Sequence, residues 1–299
     1  MMALVGPTAS GKTDAALILA RDLDAEIVSV DSMLVYRGMD VGTAKPTSEQ
    51  RAEVQHHLLD LAEPSERFTV ARFQTCADDA LATVPRPLLV GGSGLYFRAV
   101  VDHLSFPPED PAVRASLEAE ADDLGAEELY RRLADADPVA ASRIEAGNVR
   151  RIVRALEVTA ISGAPFSSFA AAWDRYDASR VRAAGVRMDR EVLAHRIGER
   201  VLSMLGRGWI DEVRGLLDRG FGAWLTATQA IGYAELTQHL DGRLSLDEAA
   251  ERTVRRTKEL ARRQMSWFRR DPRIRWFDVG AGGAAEVAED VRRYLEAAW

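Results

Sequence analysis

At 299 residues and 47% hydrophobic, the chain can bury a full core, so a wholly disordered protein is excluded and one large domain, or a core with a smaller companion, is expected. Its single cysteine, Cys76, excludes an intramolecular disulfide framework; it fits a reducing compartment and reads as a small, buried apolar residue. The net charge of −7 excludes a uniformly basic nucleic-acid binder, though not one with a local basic surface.

Met2-Ala3-Leu4-Val5 is a short apolar run, Gly6 to Gly11 is a loop of small residues, and Thr13 to Ala20 has helical composition, so strand, loop and helix are predicted in that order. The β-branched run Ala25 to Val30 predicts a second strand ending at Asp31, and Pro87-Leu88-Leu89-Val90 a further one stopped by Gly91-Gly92. Strands alternating with helices imply an α/β fold with a parallel, doubly wound sheet whose carboxyl ends carry the site. After Pro107-Pro108 no strand is evident from Pro111 to Ser162. This stretch begins acidic, turns basic around Arg143 to Arg154, and predicts an inserted helical subdomain. The expected organisation is a core over 1–106, the helical insertion over 107–180, and the rest of the core with C-terminal helices over 181–299. Val181 to Met188 can return as a strand, Asp189 can cap a helix to about Leu205, and helices are expected thereafter. Ser245 and Glu248 form a capping-box pattern ahead of a long helix from Leu246 to near Arg269. No stretch of 18 or more apolar residues occurs, and Lys12 and Asp14 break the first apolar run, so a cytoplasmic chain without a membrane span is expected.

Charge is concentrated late in the chain: from Arg252 to Arg275 there are ten Arg or Lys against only Glu259 and Asp271. On a helix at 100° per residue, Arg252, Arg255, Arg256, Arg262 and Arg263 share one face, while Val254, Ala261, Met265 and Phe268 lie opposite. A basic face is often only solubilising, but same-sign charges repel unless a polyanion neutralises them. His56 and His57 lack companions at metal-ligand spacing and read as packed or hydrogen-bonded side chains.

Gly6-Pro7-Thr8-Ala9-Ser10-Gly11-Lys12-Thr13 matches the phosphate-loop pattern G-x-x-x-x-G-K-[ST] in full, in the strand–loop–helix setting that motif needs. Its backbone N–H groups and helix N-terminus favour phosphate oxygens, Lys12 adds a point charge, and the Thr13 hydroxyl can ligate Mg²⁺. An NTP-hydrolysing enzyme also needs a strand-terminal carboxylate for Mg²⁺, yet the strand at Leu88-Leu89-Val90 ends in Gly91-Gly92-Ser93-Gly94. The acid could instead come from Asp31, which is otherwise a plain turn residue.

Val30-Asp31-Ser32-Met33-Leu34-Val35-Tyr36-Arg37-Gly38-Met39-Asp40-Val41-Gly42-Thr43-Ala44-Lys45-Pro46 closely resembles the signature of the tRNA dimethylallyltransferase (isopentenyl-diphosphate:tRNA transferase) family. The resemblance extends in order through the loop Gly6 to Thr13, His56 to Asp60, Gly91 to Tyr96, Asp110 to Arg114, Asn148 to Val158, Ala230 to Tyr233 and Arg263 to Arg269. It implies a phosphate-loop core that transfers the dimethylallyl group of dimethylallyl diphosphate to N6 of the adenosine 3′ to the anticodon, in tRNAs reading codons that begin with U. Mg²⁺ is the implied cofactor. Further implied are Asp31 as the base, Ser93 (usually Thr in the family) as a hydrogen-bonding hydroxyl, and an Arg on the diphosphate, with Arg200 matching better than Arg196. The resemblance also implies that Asp31, Ser32, Met33, Leu34 and Ser93 surround the flipped adenine, and that Arg114 with Arg150, Arg151, Ile152, Val153 and Arg154 meets the anticodon stem-loop. Arg255 and Arg263 on the basic helix join this set, and the chain is expected to act as a monomer. Two other classes remain open at this point: a phosphate-loop small-molecule kinase, and a nucleotide-gated RNA binder without chemistry.

Overall fold

The computed structural model describes residues 1–172, 175–223 and 227–297. The strands are β1 Met2–Val5, β2 Glu26–Ser29, β3 His56–His57, β4 Pro87–Gly91, β5 Arg182–Met188 and β6 Ile274–Val279. The helices are α1 Lys12–Asp22, α2 Ser48–Glu53, α3 Val70–Leu81, α4 Gly94–Asp102, α5 Pro111–Leu124, α6 Ala126–Ala136, α7 Pro138–Ala141, α8 Val149–Ser162, α9 Arg190–Gly206, α10 Trp209–Leu217, α11 Tyr233–Leu240, α12 Leu246–Phe268 and α13 Ala288–Glu296.

The six strands form one all-parallel sheet in the order β3-β2-β4-β1-β5-β6. Successive residues of β1 feed opposite layers: Ala3 and Val5 pack with Val28, Leu89, Phe73 and Phe97, whereas Met2 and Leu4 pack with Leu17, Leu19, Ile27 and Leu88. Both faces are covered by helices, so the strands read as apolar runs without polar alternation. Two strands depart from the sequence expectation. β6 falls where only helices were expected, because Arg275 and Asp278 break its apolar pattern and Arg275 belongs to the basic run. β3 is two residues long and carries His56 and His57, whose rings bond the Val54 carbonyl (2.7 Å) and the Glu26 carboxylate (2.6 Å). Cys76 is half-buried and free rather than fully buried.

The chain divides into two compact units, Met1–His103 with Tyr176–Trp299, and Leu104–Arg175. The second is entirely helical among its described residues, with a core of Leu117, Leu129, Leu133, Ile144, Ile152 and Leu156. Its helices start where the sequence supplies caps: Asp110 accepts from the N–H groups of Ala112 and Val113, and Asn148 from that of Arg151. In the sheet-bearing unit, Asp189 caps α9 in the same way, and the Ser245–Glu248 capping box opens α12. Among the described residues, no helix is long and apolar enough to cross a membrane.

Candidate active site

β1 ends at Val5 and α1 begins at Lys12, so the glycine-rich stretch is the turn between a central strand and a helix. Gly11 holds the N-cap position at φ 82° and contributes no side-chain cap, which leaves the first N–H groups of α1 pointing out of the helix. Three contacts fix the loop from behind. The Ser10 carbonyl accepts from the Ala284 N–H at 2.9 Å, the Ala9 carbonyl accepts from Arg196 Nε at 2.9 Å, and Ala9 packs between Ile197 of α9 and Ala261 of α12.

Neighbouring strands deliver the other residues to the same edge. β2, β4 and β1 are adjacent, so Asp31, Gly91-Gly92 and Gly6 emerge side by side at the carboxyl ends. Asp31 and Gly91-Gly92 border a cleft of about 500 Å³ whose lining also includes Lys12, Thr13, Leu34, Arg196, Arg200 and Gln264. Asp31 Oδ1 accepts from the Met33 N–H at 2.9 Å, which turns the chain after β2 and leaves Oδ2 without a protein donor among the described residues. The Ser93 hydroxyl lies 3.3 Å from that of Ser32.

The cleft is electropositive and short of counter-charge. Burial, reinforced by Arg200 and opposed by Asp31, lowers the Lys12 pKa to about 7. Burial likewise lowers that of Arg200, again against Asp31. Neither cation forms a salt bridge among the described residues; Lys12 Nζ donates only to the Pro7 carbonyl. Arg196 is differently placed, since its guanidinium is spent on the carbonyls of Ala9 and Ala281. The two candidate arginines therefore separate: Arg196 braces the loop, whereas Arg200 makes no salt bridge among the described residues.

Several residues that hold this site carry no recognisable motif. The Glu212 carboxylate on α10 accepts from the N–H groups of Asp40 (2.7 Å), Val41 (2.7 Å) and Gly42 (3.1 Å) and from the Tyr233 hydroxyl (2.6 Å). Trp209, one turn earlier, is 1% exposed and wedged between Gly42 and Gly232, where a Cβ on either glycine would stand 2.0 Å from its indole. Buried Lys45 donates to the Tyr36 carbonyl and to the carboxylates of Asp40 and Asp60. The segment after Asp31 is thus clamped from two sides. The Gln264 amide reaches from α12 to accept the Thr8 N–H at 2.8 Å.

The remaining expected contact residues divide by exposure. On α12, Arg252, Arg255, Arg262 and Arg263 are exposed, but Arg256 is tied to the buried Glu235 carboxylate and is withdrawn from the basic face. On α8, Arg150 and Arg151 are exposed, whereas Ile152 and Val153 are 0% and 2% exposed. Ile152 and Val153, also expected in the tRNA contact, turn their side chains into the core of their unit, as helical spacing requires. Arg114 and Arg154 both bond the wholly buried Glu157 carboxylate, at 2.7 and 2.8 Å. Burial raises the Glu157 pKa, but those bonds and the Asp110 N–H outweigh it and hold the group below its usual range.

Comparison with known proteins agrees with this geometry. Residues 34–271 match the family model described as IPP transferase, and residues 1–63 that described as isopentenyl transferase. The chain is 48% identical over 297 residues to a tRNA dimethylallyltransferase of Salinispora arenicola, covering 98% of this chain and 86% of the relative. It is 48% identical over 292 residues to one from Streptomyces coelicolor, covering 96% and 93%. Among solved structures, the full-length tRNA isopentenylpyrophosphate transferase of Bacillus halodurans superposes with a TM-score of 0.72 at 38% identity, covering 99% of this chain and 95% of that one. A eukaryotic dimethylallyltransferase acting on tRNA shares the fold, with a TM-score of 0.78 at 22% identity over 98% and 77% of the two chains. The chain therefore belongs to the IPP transferase family, the tRNA dimethylallyltransferases.

Proposed function

We propose that this prenyltransferase binds dimethylallyl diphosphate with its diphosphate on the loop Gly6 to Thr13 and its prenyl group toward Asp31. The acceptor is N6 of the adenosine 3′ to the anticodon, in tRNAs reading codons that begin with U. The observation that carries this reading is the pairing, in one cleft, of two cations without salt bridges among the described residues, Lys12 and Arg200, with a carboxylate, Asp31, one oxygen of which has no protein donor among them. A diphosphate leaving group gains negative charge as the C1–O bond breaks, and desolvated cations stabilise that charge strongly. The adenine amine is a weak nucleophile because its lone pair is delocalised. As it attacks C1, its proton passes to Asp31, and the diphosphate departs with the bonding electron pair. Ser93 and Ser32, hydroxyl to hydroxyl, offer hydrogen bonds to the base or the diphosphate.

Mg²⁺ fits the residues present. No group of three or more His, Cys, Asp or Glu that could hold a metal occurs among the described residues, and Mg²⁺ is commonly held by one or two protein oxygens with waters and phosphate oxygens. The exposed Thr13 hydroxyl at the start of α1 would be the protein ligand, with the Asp31 carboxylate lining the same cleft. When bound, the ion would add positive charge beside the leaving diphosphate.

The target base is stacked in the anticodon loop and must be extruded into the cleft at a cost of a few kcal/mol. Arg255 and Arg263 contact the RNA from the exposed face of α12. Arg150 and Arg151 do so from α8, with Arg114 and Arg154 beside them in fixed positions on Glu157. The deciding experiment is single-turnover transfer and donor affinity measured on Asp31→Asn. Transfer slower by about 10²–10⁴ with donor still bound supports the base role. Collapse of donor affinity assigns Asp31 to the metal instead, and near-normal transfer removes it from the chemistry. Tight ATP binding with steady hydrolysis by wild type, and no donor binding, would overturn the assignment of the loop to the prenyl donor.

A further inference from the structure

The donors of the phosphate loop begin at Thr8, because Pro7 has no N–H, and continue to Thr13 in the first turn of α1. The groups nearest the helix hold whatever phosphate rests on its N-terminus, and those toward Thr8 receive phosphates further along a chain. In this protein the Thr8 N–H is already taken. It donates at 2.8 Å to Gln264 Oε1, from a side chain only 8% exposed that lines the same cleft as Lys12. Gly92 leaves the space for that amide, since a Cβ there would stand 2.3 Å from Gln264 Nε2.

We infer that Gln264 sets the length of the phosphate chain the loop accepts: its amide plugs the end of the donor array away from α1, so that two phosphates fit and a third meets no free N–H. This rests on the reading of the loop as a diphosphate site and adds the residue that excludes the more abundant nucleoside triphosphates. Net charge cannot supply that selectivity, because an electropositive cleft attracts a triphosphate more strongly than a diphosphate. A neutral amide seated on one backbone N–H discriminates by occupancy, without adding a charge that would also repel the diphosphate.

The test uses calorimetry on the full chain with Mg²⁺ and inorganic pyrophosphate or inorganic tripolyphosphate, comparing wild type with Gln264→Met, Gln264→Glu and Gly92→Ala. Methionine keeps the buried volume and removes the acceptor, freeing the Thr8 N–H. The tripolyphosphate-to-pyrophosphate affinity ratio should then rise about tenfold, the worth of one hydrogen bond to a charged group. Gly92→Ala pushes the amide aside from its other flank and should move the ratio the same way, which keeps the test decisive if one variant folds poorly. Gln264→Glu keeps the bond but adds a negative charge, and should lower the ratio below that of wild type. If both phosphates weaken equally in Gln264→Met and Gly92→Ala, the amide merely packs the loop and the inference falls, with the diphosphate reading intact. If wild type binds neither anion, both fall together.

Discussion

Two groups of cations in this protein have opposite fates. In the helical unit Leu104–Arg175, Arg114 and Arg154 converge on one buried carboxylate, Glu157, which also accepts the Asp110 N–H; every charge is met inside the protein. In the cleft at the sheet edge, Lys12 and Arg200 are desolvated without a salt bridge among the described residues, offset by the electrostatic pull of Asp31 and, for Arg200, of Asp14. The first arrangement lowers the energy of the fold, whereas the second stores a cost that an anion relieves. Arginine count alone does not distinguish structure from site; the whereabouts of the counter-charge does.

The comparison predicts that Lys12→Ala will bring the largest loss, a fall in single-turnover transfer of at least about 10²–10³ with the fold unchanged by circular dichroism. Near-normal transfer would place Lys12 with the structural cations. Glu157→Gln should do the reverse: it leaves chemistry alone but removes a charge that two arginines need. The cost is about 3 kcal/mol to the stability of its unit, read from hydrogen exchange of the buried amides of α6 and α8. Because the folded Glu157 pKa lies below its usual value of 4.5, that contribution is fully present above pH 4.5 and is lost as pH falls through the folded value. A third test concerns Lys12 without ligand. Its folded pKa of about 7 lies below the ordinary 10.5, so the unfolded chain binds more protons between those values, and stability should rise with pH across that window. Relative to Lys12→Met, wild type should gain about 2 kcal/mol between pH 7 and 9 in denaturant melts; a flat difference would mean water already solvates the ammonium. The smallest effect belongs to the exposed face of α12, where Arg255→Ala with Arg263→Ala should reduce the salt slope of tRNA binding by about 0.7–0.9 for each phosphate no longer neutralised. An unchanged slope would class those arginines as solvating surface.

Much of the frame was legible in the sequence because it rests on local signals. The loop, the caps at Asp189 and Ser245, and the helix Leu246–Phe268 each follow from a few adjacent residues. What escaped depended on distant partners. β6 exists because β5 pairs with it from Ala183 to Met188, a tertiary demand that overrides an unpromising apolar pattern. Arg256 had the right helical angle for the basic face, but Glu235, on another helix, claims it. Glu212 and Gln264 looked like ordinary polar residues on helices, and only the folded chain shows which backbone N–H groups they serve. Periodicity could have flagged Ile152 and Val153, since residues inside a helical motif cannot all face the same way.

The indole wedged between two glycines also constrains how this sequence can drift. Gly42, Trp209 and Gly232 occupy one shared volume, so enlarging either glycine by a single methyl is blocked while the indole stays, and trimming the indole first opens a cavity costing about 3–5 kcal/mol. No single-step path leads from this triple to another filled arrangement without a destabilised intermediate. The three positions, far apart in the chain, are inherited as one character, and a descendant that changes one must be rescued by a second change before it is purged.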